Sequence, residues 1–130
     1  MILNHNPIFI EPELWGNHYW YVIETMILSM DSKEIHSRES LRLFFYALQN
    51  LLPCPTCREH FQDYFRKHNI NKYLDSKKKM FLWIYQLRKE IQIRNKKSFP
   101  TFEEYLYKIK EIPIQEKTIE KNTIQNFTSL

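Results

Sequence analysis

The residues of this chain best suited to chemistry are two cysteines, Cys54 and Cys57, which are separated by two positions. They are the only cysteines among the 130 residues. A pair at this spacing can form a short disulfide and exchange it with another thiol. A helix N-terminus would favour the thiolate, because it offers unpaired N–H groups and a positive dipole end. In a chain that we expect to be intracellular, such a pair indicates catalysis or metal binding rather than a structural cross-link.

Zinc binding is the main chemical alternative for the two cysteines. A structural zinc site takes four ligands, so His36, His60 or His68 would have to complete it. Two buried, inert thiols are the structural alternative, because cysteine packs well as a small hydrophobe. A thioredoxin-like site would need strands around the pair, and covalent haem would need histidine where Arg58 stands. We expect no metal site.

The elements that position the cysteines are predicted to be helical. The chain has a single glycine, Gly16, whereas β-hairpins normally use glycines at their turns. Apolar residues recur at helical spacing in successive segments. In the first segment a four-residue repeat runs from Leu14 through His18 and Val22 to Met26. In the fourth a buried stripe is expected through Ile84, Leu87 and Ile91, with Trp83 beside it and able to pack against the third helix. The expected helices cover residues 13–30, a second segment ending near residue 52, then 54–68, 76–95, and a short fifth helix from about 101. The predicted fold class is therefore all-α, with four helices and a short fifth.

The ends of these helices can be read from their sequences. Pro53 stops the second helix and puts Cys54 at the start of the third, with Cys57 one turn further on and facing inward. We expect Cys54 to be the more accessible sulfur and Cys57 to be the deeper one. Ser76 is a plausible N-cap of the fourth helix, and Thr101 with Glu104 matches a capping box for the fifth.

Composition and charge limit the remaining possibilities. The expected organisation is an irregular lead-in over residues 1–12, one domain over 13–110 and a flexible polar tail over 111–130. The net charge is +4, and the basic excess lies in residues 53–110, where it could hold nucleic acid, a diphosphate cofactor or only solvent. No apolar run reaches the roughly 20 residues of a membrane span, and no signal peptide is visible. We expect a soluble, cytoplasmic protein.

Several segments resemble the Erv/ALR family of sulfhydryl oxidases, in particular its short members from large cytoplasmic DNA viruses such as poxviruses and African swine fever virus. The most specific segment is Leu-Pro-Cys-Pro-Thr-Cys-Arg-Glu-His-Phe over residues 52–61. Trp15-Gly16-x-x-x-Trp20 in the first helix and Trp83 in the fourth are also similar. The resemblance covers roughly residues 13–110. It implies a four-helix bundle plus a short fifth helix, with FAD held beside the cysteine pair.

The resemblance also implies roles for the two sulfurs. Cys57 would lie against the flavin and pass electrons to it, while Cys54 would exchange with the substrate. Oxygen would take the electrons from the reduced cofactor and become hydrogen peroxide. The implied partners are a dithiol protein substrate or a small dithiol carrier, together with a second copy of the chain in a homodimer. No nucleic acid partner is implied, and no additional shuttle cysteine is present.

By position in the family pattern, the cofactor would be bound by residues from three helices. These are Trp15, Trp20, Cys57, His60, Arg88, Ile91, Gln92 and Lys97. Two departures stand out, because Glu24 and Arg88 occupy positions where the family has histidines. Arg88 could contact a phosphate or stack on the adenine, and it could pair with Glu24 if the two helices meet.

Two other functions remain open at this point. A flavin-free dithiol carrier would need the cysteines but not oxygen, and the altered fourth-helix motif favours it. A non-catalytic helical module could use the basic residues to bind nucleic acid or an acidic protein. If the chain is viral, an oxidase in the host cytoplasm would suit a disulfide relay for virion proteins, because host systems keep cytosolic thiols reduced.

Overall fold

A computed structural model describes residues 3–111, which contain five α-helices and one 3-10 turn. The helices are α1 (Pro12–Ser29), α2 (Ile35–Leu48), α3 (Pro55–Lys67), α4 (Lys77–Arg94) and α5 (Phe102–Lys110), with the 3-10 turn at Ile70–Lys72. No strand occurs over residues 3–111, and the all-α prediction is confirmed. The predicted tail lies outside the described residues, except for Glu111.

The chain divides into two compact units. The first ends at Phe99 and contains α1 to α4, and the second begins at Pro100 and contains α5. The single domain expected over residues 13–110 stays a prediction. None of the helices within residues 3–111 is long and apolar enough to cross a membrane.

Side-chain caps fix the starts of α2, α4 and α5, of which the sequence predicted the caps of α4 and α5. Ser76 caps α4 by accepting a hydrogen bond from the Lys79 N–H at 3.1 Å. Thr101 and Glu104 form the predicted capping box at α5. Glu34 caps α2 by accepting from backbone N–H groups at the helix start, and these bonds lower the pKa of its carboxyl group. Satisfying these otherwise unpaired donors sets where each helix begins.

The end of α2 differs from the prediction. The helix was expected to continue to about residue 52, but it ends at Leu48. Gln49 keeps helical backbone angles, and the chain then closes a tight turn in which Leu52 N–H donates to the Leu48 carbonyl at 3.2 Å. Pro53 disfavours helical angles at the residue before it, and the early turn carries Leu52 into the core.

Trp83 forms the centre of the aromatic core of the first unit. Its side chain is 1% exposed, and its ring lies 5.0 Å from Phe45 of α2 and 6.2 Å from Phe61 of α3, between ring centroids. Tyr64 of α3 donates its hydroxyl hydrogen to the Trp83 carbonyl at 2.7 Å, and burial raises the pKa of Tyr64. The packing of Trp83 against the third helix is therefore confirmed.

α1 has apolar residues on two faces, and only one of them packs inward. The four-residue repeat that predicted this helix begins at Leu14 and includes Val22, yet both side chains are exposed, Leu14 by 68%. The buried positions are Ile23, Glu24 and Ile27. The repeat identified the helix correctly, but it marks the face that α1 presents to its surroundings.

α1 and α4 lie side by side in the first unit. The Lys77 amine at the start of α4 donates to the Leu28 carbonyl near the end of α1 at 2.6 Å. Near the middle of both helices, Arg88 lies 3.2 Å from Glu24. These contacts fix the distance between the two helices that border the cavity described next.

Candidate functional site

Both cysteines border one cavity of about 280 Å³ within the first unit. α1 contributes one wall, α3 and the turn before it a second, and the last turns of α4 a third. The wall residues are Pro12, Trp15, Gly16, Tyr19, Trp20, Ile23, Leu48, Leu52, Cys54, Thr56, Cys57, His60, Phe61, Leu87, Ile91, Arg94 and Asn95. The lining is mainly aromatic and aliphatic, with the cysteines on one wall and Arg94 and Asn95 on another.

The cysteine pair is held by the first turn of α3. Cys54 is the N-cap residue with extended backbone angles, and Pro55 takes the first helical position, where a missing N–H costs nothing. The Cys54 sulfur accepts a hydrogen bond from the Cys57 N–H at 3.3 Å, and both cysteines are free thiols. The sequence therefore predicted the position of the pair on the helix correctly.

The relative exposure of the two sulfurs was predicted wrongly. Cys54 is buried, with 5% of its surface exposed, whereas Cys57 is only partly buried. The prediction assumed that a residue at a helix start projects into solvent. Instead, the Cys54 sulfur turns back over the start of α3 and accepts a hydrogen bond from the Cys57 N–H. That N–H belongs to the first turn of the helix and has no carbonyl partner within it.

The environment of Cys57 favours its neutral form. Burial is the largest cause, a hydrogen bond between the side chains of Cys57 and Cys54 adds to it, and together they raise the pKa of Cys57 to about 12. The positive charge of Arg58 opposes this shift without cancelling it. At neutral pH Cys57 of the reduced pair therefore keeps its proton.

Two further contacts hold the turn that precedes the cysteines. Arg58 of α3 donates from Nη1 to the Leu52 carbonyl at 2.6 Å. The lead-in runs past the same turn, and its Ile10 N–H donates to the Pro53 carbonyl at 3.4 Å. Trp15 in turn donates from Nε1 to the Ile10 carbonyl at 2.9 Å. The lead-in is thus connected both to the cysteine turn and to the aromatic wall.

The cavity brings together five of the eight residues predicted to bind the cofactor. These are Trp15, Trp20, Cys57, His60 and Ile91. Arg88, Gln92 and Lys97 are not among its lining residues. On α4 the lining positions are the buried Leu87, the partly buried Ile91 and the exposed Arg94 and Asn95, which lie along one face of the helix. Arg88 and Gln92 therefore fall on the neighbouring face.

Sequence reasoning missed Gly16, Tyr19, Arg94 and Asn95 as cavity residues. Continuing the α4 stripe by three or four positions from Ile91 would have reached the last two. Gly16 was available as part of the Trp15-Gly16 motif. A methyl group at Gly16 would meet no protein atom within 4 Å, so this wall leaves open space beside the backbone.

Arg88 and Glu24 form the ion pair that the sequence allowed. Both side chains are largely buried, and the two charged groups lie 3.2 Å apart. The Arg88 guanidinium also lies over the rings of Trp20, at 5.2 Å from its centroid, and Phe99, at 5.7 Å. Charge pairing and cation–π contact both hold Arg88 against the outer side of Trp20, whose ring borders the cavity.

The lining suits a planar, partly charged group such as a flavin nucleotide. Aromatic side chains from α1 can pack against a flat ring, while the cysteines can approach its edge. Arg94 and Asn95 offer donors for phosphate or carbonyl oxygens. The volume is near the lower end of the roughly 300–1,000 Å³ usual for ligand sites, which suits the ring system of FAD more than the whole molecule. No group of three or more potential metal ligands occurs within residues 3–111.

Comparison with known proteins agrees with this geometry. Residues 17–112 match the profile of the Erv1 / Alr family. The chain is also similar to a protein of Invertebrate iridescent virus 3 named "Putative FAD-linked sulfhydryl oxidase 096R", at 26% identity over 86 residues. That match covers 65% of this chain and 58% of the viral protein. No solved structure gives a significant match. Because the family profile spans most of the chain and includes both cysteines, the resemblance is confirmed, and the chain belongs to the Erv1/Alr family.

Proposed function

We propose that this protein is an FAD-dependent thiol oxidase that forms disulfide bonds in partner proteins. The observation that carries the proposal is that Cys54 and Cys57 border the same aromatic cavity. A redox-active pair beside a site for a planar cofactor is the arrangement that moves two electrons from sulfur to a ring. The viral relative named as an FAD-linked sulfhydryl oxidase supports the same activity.

The proposed reaction begins with Cys54 and Cys57 joined as a disulfide. A partner thiolate attacks the sulfur of Cys54, to which the family resemblance gives the exchange role although Cys54 is the more buried of the two. The bond between Cys54 and Cys57 then breaks, and Cys57 leaves as a thiolate. The second partner thiolate then attacks the mixed disulfide and releases Cys54. The partner gains one disulfide, while the enzyme pair receives two electrons and becomes a dithiol after taking up two protons.

Bound FAD would accept these two electrons and pass them to oxygen, yielding hydrogen peroxide. Trp15 and Trp20 would pack against the ring, and Arg94 with Asn95 would contact its polar substituents or phosphates. Arg88 would keep Trp20 in place through the ion pair with Glu24. These assignments replace the direct cofactor contacts that the sequence assigned to Arg88, Gln92 and Lys97.

Returning the pair to the disulfide requires Cys57 to lose the proton that its raised pKa retains. His60 stands one helical turn after Cys57 and borders the same cavity, so its imidazole is placed to receive that proton. We propose His60 as the proton acceptor of the reoxidation step. Replacing His60 with Gln should slow reoxidation of the reduced pair more at pH 7 than at pH 9, where hydroxide competes as the base.

The proposed partners are a dithiol protein or a small dithiol carrier, oxygen, and a second copy of this chain. The outward apolar face of α1, with Leu14 and Val22 exposed, is a surface that a homodimer could cover. We also propose a role in a cytoplasmic disulfide relay for virion proteins, which goes beyond the oxidase activity that the viral relative's name gives. Nucleic acid has no role in the proposed reaction.

The first test is the visible absorption spectrum of the purified protein together with oxygen uptake on addition of dithiothreitol. Wild type should carry flavin absorbance and consume oxygen, whereas Cys57→Ala should keep the flavin and lose the uptake. A protein that stays colourless after FAD is supplied, yet exchanges disulfides, would instead be a dithiol carrier. A flavin-free protein with salt-sensitive DNA binding would support the binding-module alternative.

A further inference from the structure

The cysteine turn is bordered by exposed apolar side chains that the proposed chemistry does not use. Ile8, Phe9 and Ile10 of the lead-in are exposed, and so is Leu51, two residues before Pro53. The hydrogen bond from Ile10 N–H to the Pro53 carbonyl places the lead-in next to the residue that precedes Cys54. These four residues are called the apolar rim.

We propose that the apolar rim is the docking surface for the dithiol partner, and that it selects partners whose reactive cysteine is flanked by apolar residues. The inference rests on the proposed exchange role of Cys54. It goes further by naming the kind of protein segment that can reach the Cys54 sulfur.

The burial of Cys54 supports a docking role for the rim. Only 5% of the residue is exposed, so a partner sulfur can reach it only by displacing or closely contacting the residues beside it. The lead-in is hydrogen-bonded to the residue before Cys54, and Leu51 lies three positions before Cys54, so both can contact the residues that flank a partner's cysteine.

The charge pattern indicates what kind of partner fits. Residues 51–57 contain no charged side chain, and neither do residues 6–10, although 26% of the whole chain is charged. The nearest cation after the pair, Arg58, is turned back onto the Leu52 carbonyl. Burial of apolar surface against this uncharged border would stabilise a complex with an apolar partner segment. A partner's charged groups would find no counter-charge there and would be costly to bury.

The rim can be tested separately from oxidase turnover by using a capture reaction. In a Cys57→Ala background Cys54 is the only thiol of the full-length chain. Two synthetic peptides, each with one cysteine activated as a thionitrobenzoate disulfide, would be compared, one with leucines and one with serines around the cysteine. The Cys54 thiolate attacks the peptide sulfur and releases coloured thionitrobenzoate, so the capture rate is read directly.

Ile35 provides the matched control for Leu51. Ile35 is the first residue of α2, and Leu51 lies three residues after its last, Leu48. The two side chains are 68% and 69% exposed, and the length of α2 separates them by about 20 Å. The leucine-flanked peptide should be captured roughly tenfold faster than the serine-flanked one. Leu51→Ser and Phe9→Ser should remove most of that preference, whereas Ile35→Ser should keep it. Ellman's reagent should react equally with all of these proteins.

Several outcomes would overturn the inference. Equal capture of the two peptides would do so, and so would an equal loss of preference in Ile35→Ser. A Leu51→Ser protein whose mass in sedimentation changes while its capture preference does not would assign the rim to contact between copies of the chain. Oxygen uptake with dithiothreitol is measured in parallel on the chain with both cysteines. Its absence alongside an intact capture preference would refute the oxidase proposal and leave the docking surface standing.

Discussion

Gly16 offers a sharp test of whether a cofactor fills the cavity. It lies inside α1, past the first turn, and its φ angle is not positive. Replacing a helix-interior glycine with alanine stabilises the helix by about 1 kcal/mol, because alanine restricts the unfolded chain. The new methyl group would meet no protein atom within 4 Å, so no steric cost offsets that gain in the flavin-free protein.

The same methyl group would occupy space beside the cavity wall. If a flavin packs against this part of α1, the methyl group should weaken flavin binding at least tenfold, which corresponds to about 1.4 kcal/mol. Gly16→Ala is therefore expected to raise the unfolding free energy of the flavin-free protein and to lower its affinity for FAD. A general disturbance of the structure would lower both the unfolding free energy and the FAD affinity, so a rise in one with a fall in the other would point to the cavity itself.

Urea unfolding of the flavin-free protein and titration of flavin fluorescence would measure the two quantities. Asn17→Ala is the matched control, because Asn17 is exposed on the same helix and does not border the cavity. Asn17→Ala should also raise the unfolding free energy of the flavin-free protein, by a smaller amount, and should leave the FAD affinity unchanged. If Gly16→Ala bound FAD as tightly as wild type, the placement of the flavin against α1 would be refuted. If Gly16→Ala were less stable than wild type without flavin, the space beside Gly16 would not be open.

Substitutions at three other places, the Glu24–Arg88 pair, Lys96 and Cys57, have expected outcomes that follow from the structure. Glu24→Gln should lower the unfolding free energy by about 3 kcal/mol, because it removes the negative charge that faces the largely buried Arg88 guanidinium. Glu24→Leu combined with Arg88→Met should recover most of that loss in urea unfolding, and an equal loss in both proteins would contradict the argument. Lys96 has a φ angle of 57° at the end of α4, so Lys96→Gly should raise the urea midpoint by an amount equivalent to about 1 kcal/mol. For Cys57, the folded pKa of about 12 exceeds the ordinary value of 9.0, so the unfolded chain ionises first as pH rises. The reduced protein should therefore lose stability between pH 9 and 12 relative to its stability below pH 9, and Cys57→Ala should show a shallower loss over the same range in thermal unfolding.

The sequence was most informative where one local interaction decides the outcome. Ser76 and the Thr101–Glu104 pair predicted helix starts correctly, because a cap depends only on residues within one turn. The cysteine position on α3 followed from Pro53 and Pro55 in the same way. The inward stripe of α4, including the packing of Trp83, also needed only helical periodicity.

Other features depended on contacts between distant parts of the chain. Cys54 is buried by the way its sulfur turns back over the helix end and by its position beside the cavity, which spacing along the chain does not reveal. α1 has apolar residues on two faces, so periodicity alone could not decide which face packs inward. The early end of α2 reflects the need to bring Leu52 into the core. At the cavity, the family pattern pointed to Arg88, whereas the helix phase of α4 puts Arg94 there instead.

The three tryptophans occupy two kinds of surroundings, with an optical consequence. Trp83 lies in the dry aromatic core and donates its indole hydrogen to the His68 carbonyl at 2.9 Å, so its emission should be blue-shifted and should report on folding. Trp15 and Trp20 border the cavity, so their emission should respond to whatever enters it. The chain therefore contains, in Trp15 and Trp20, a probe of ligand entry and, in Trp83, a separate probe of core unfolding.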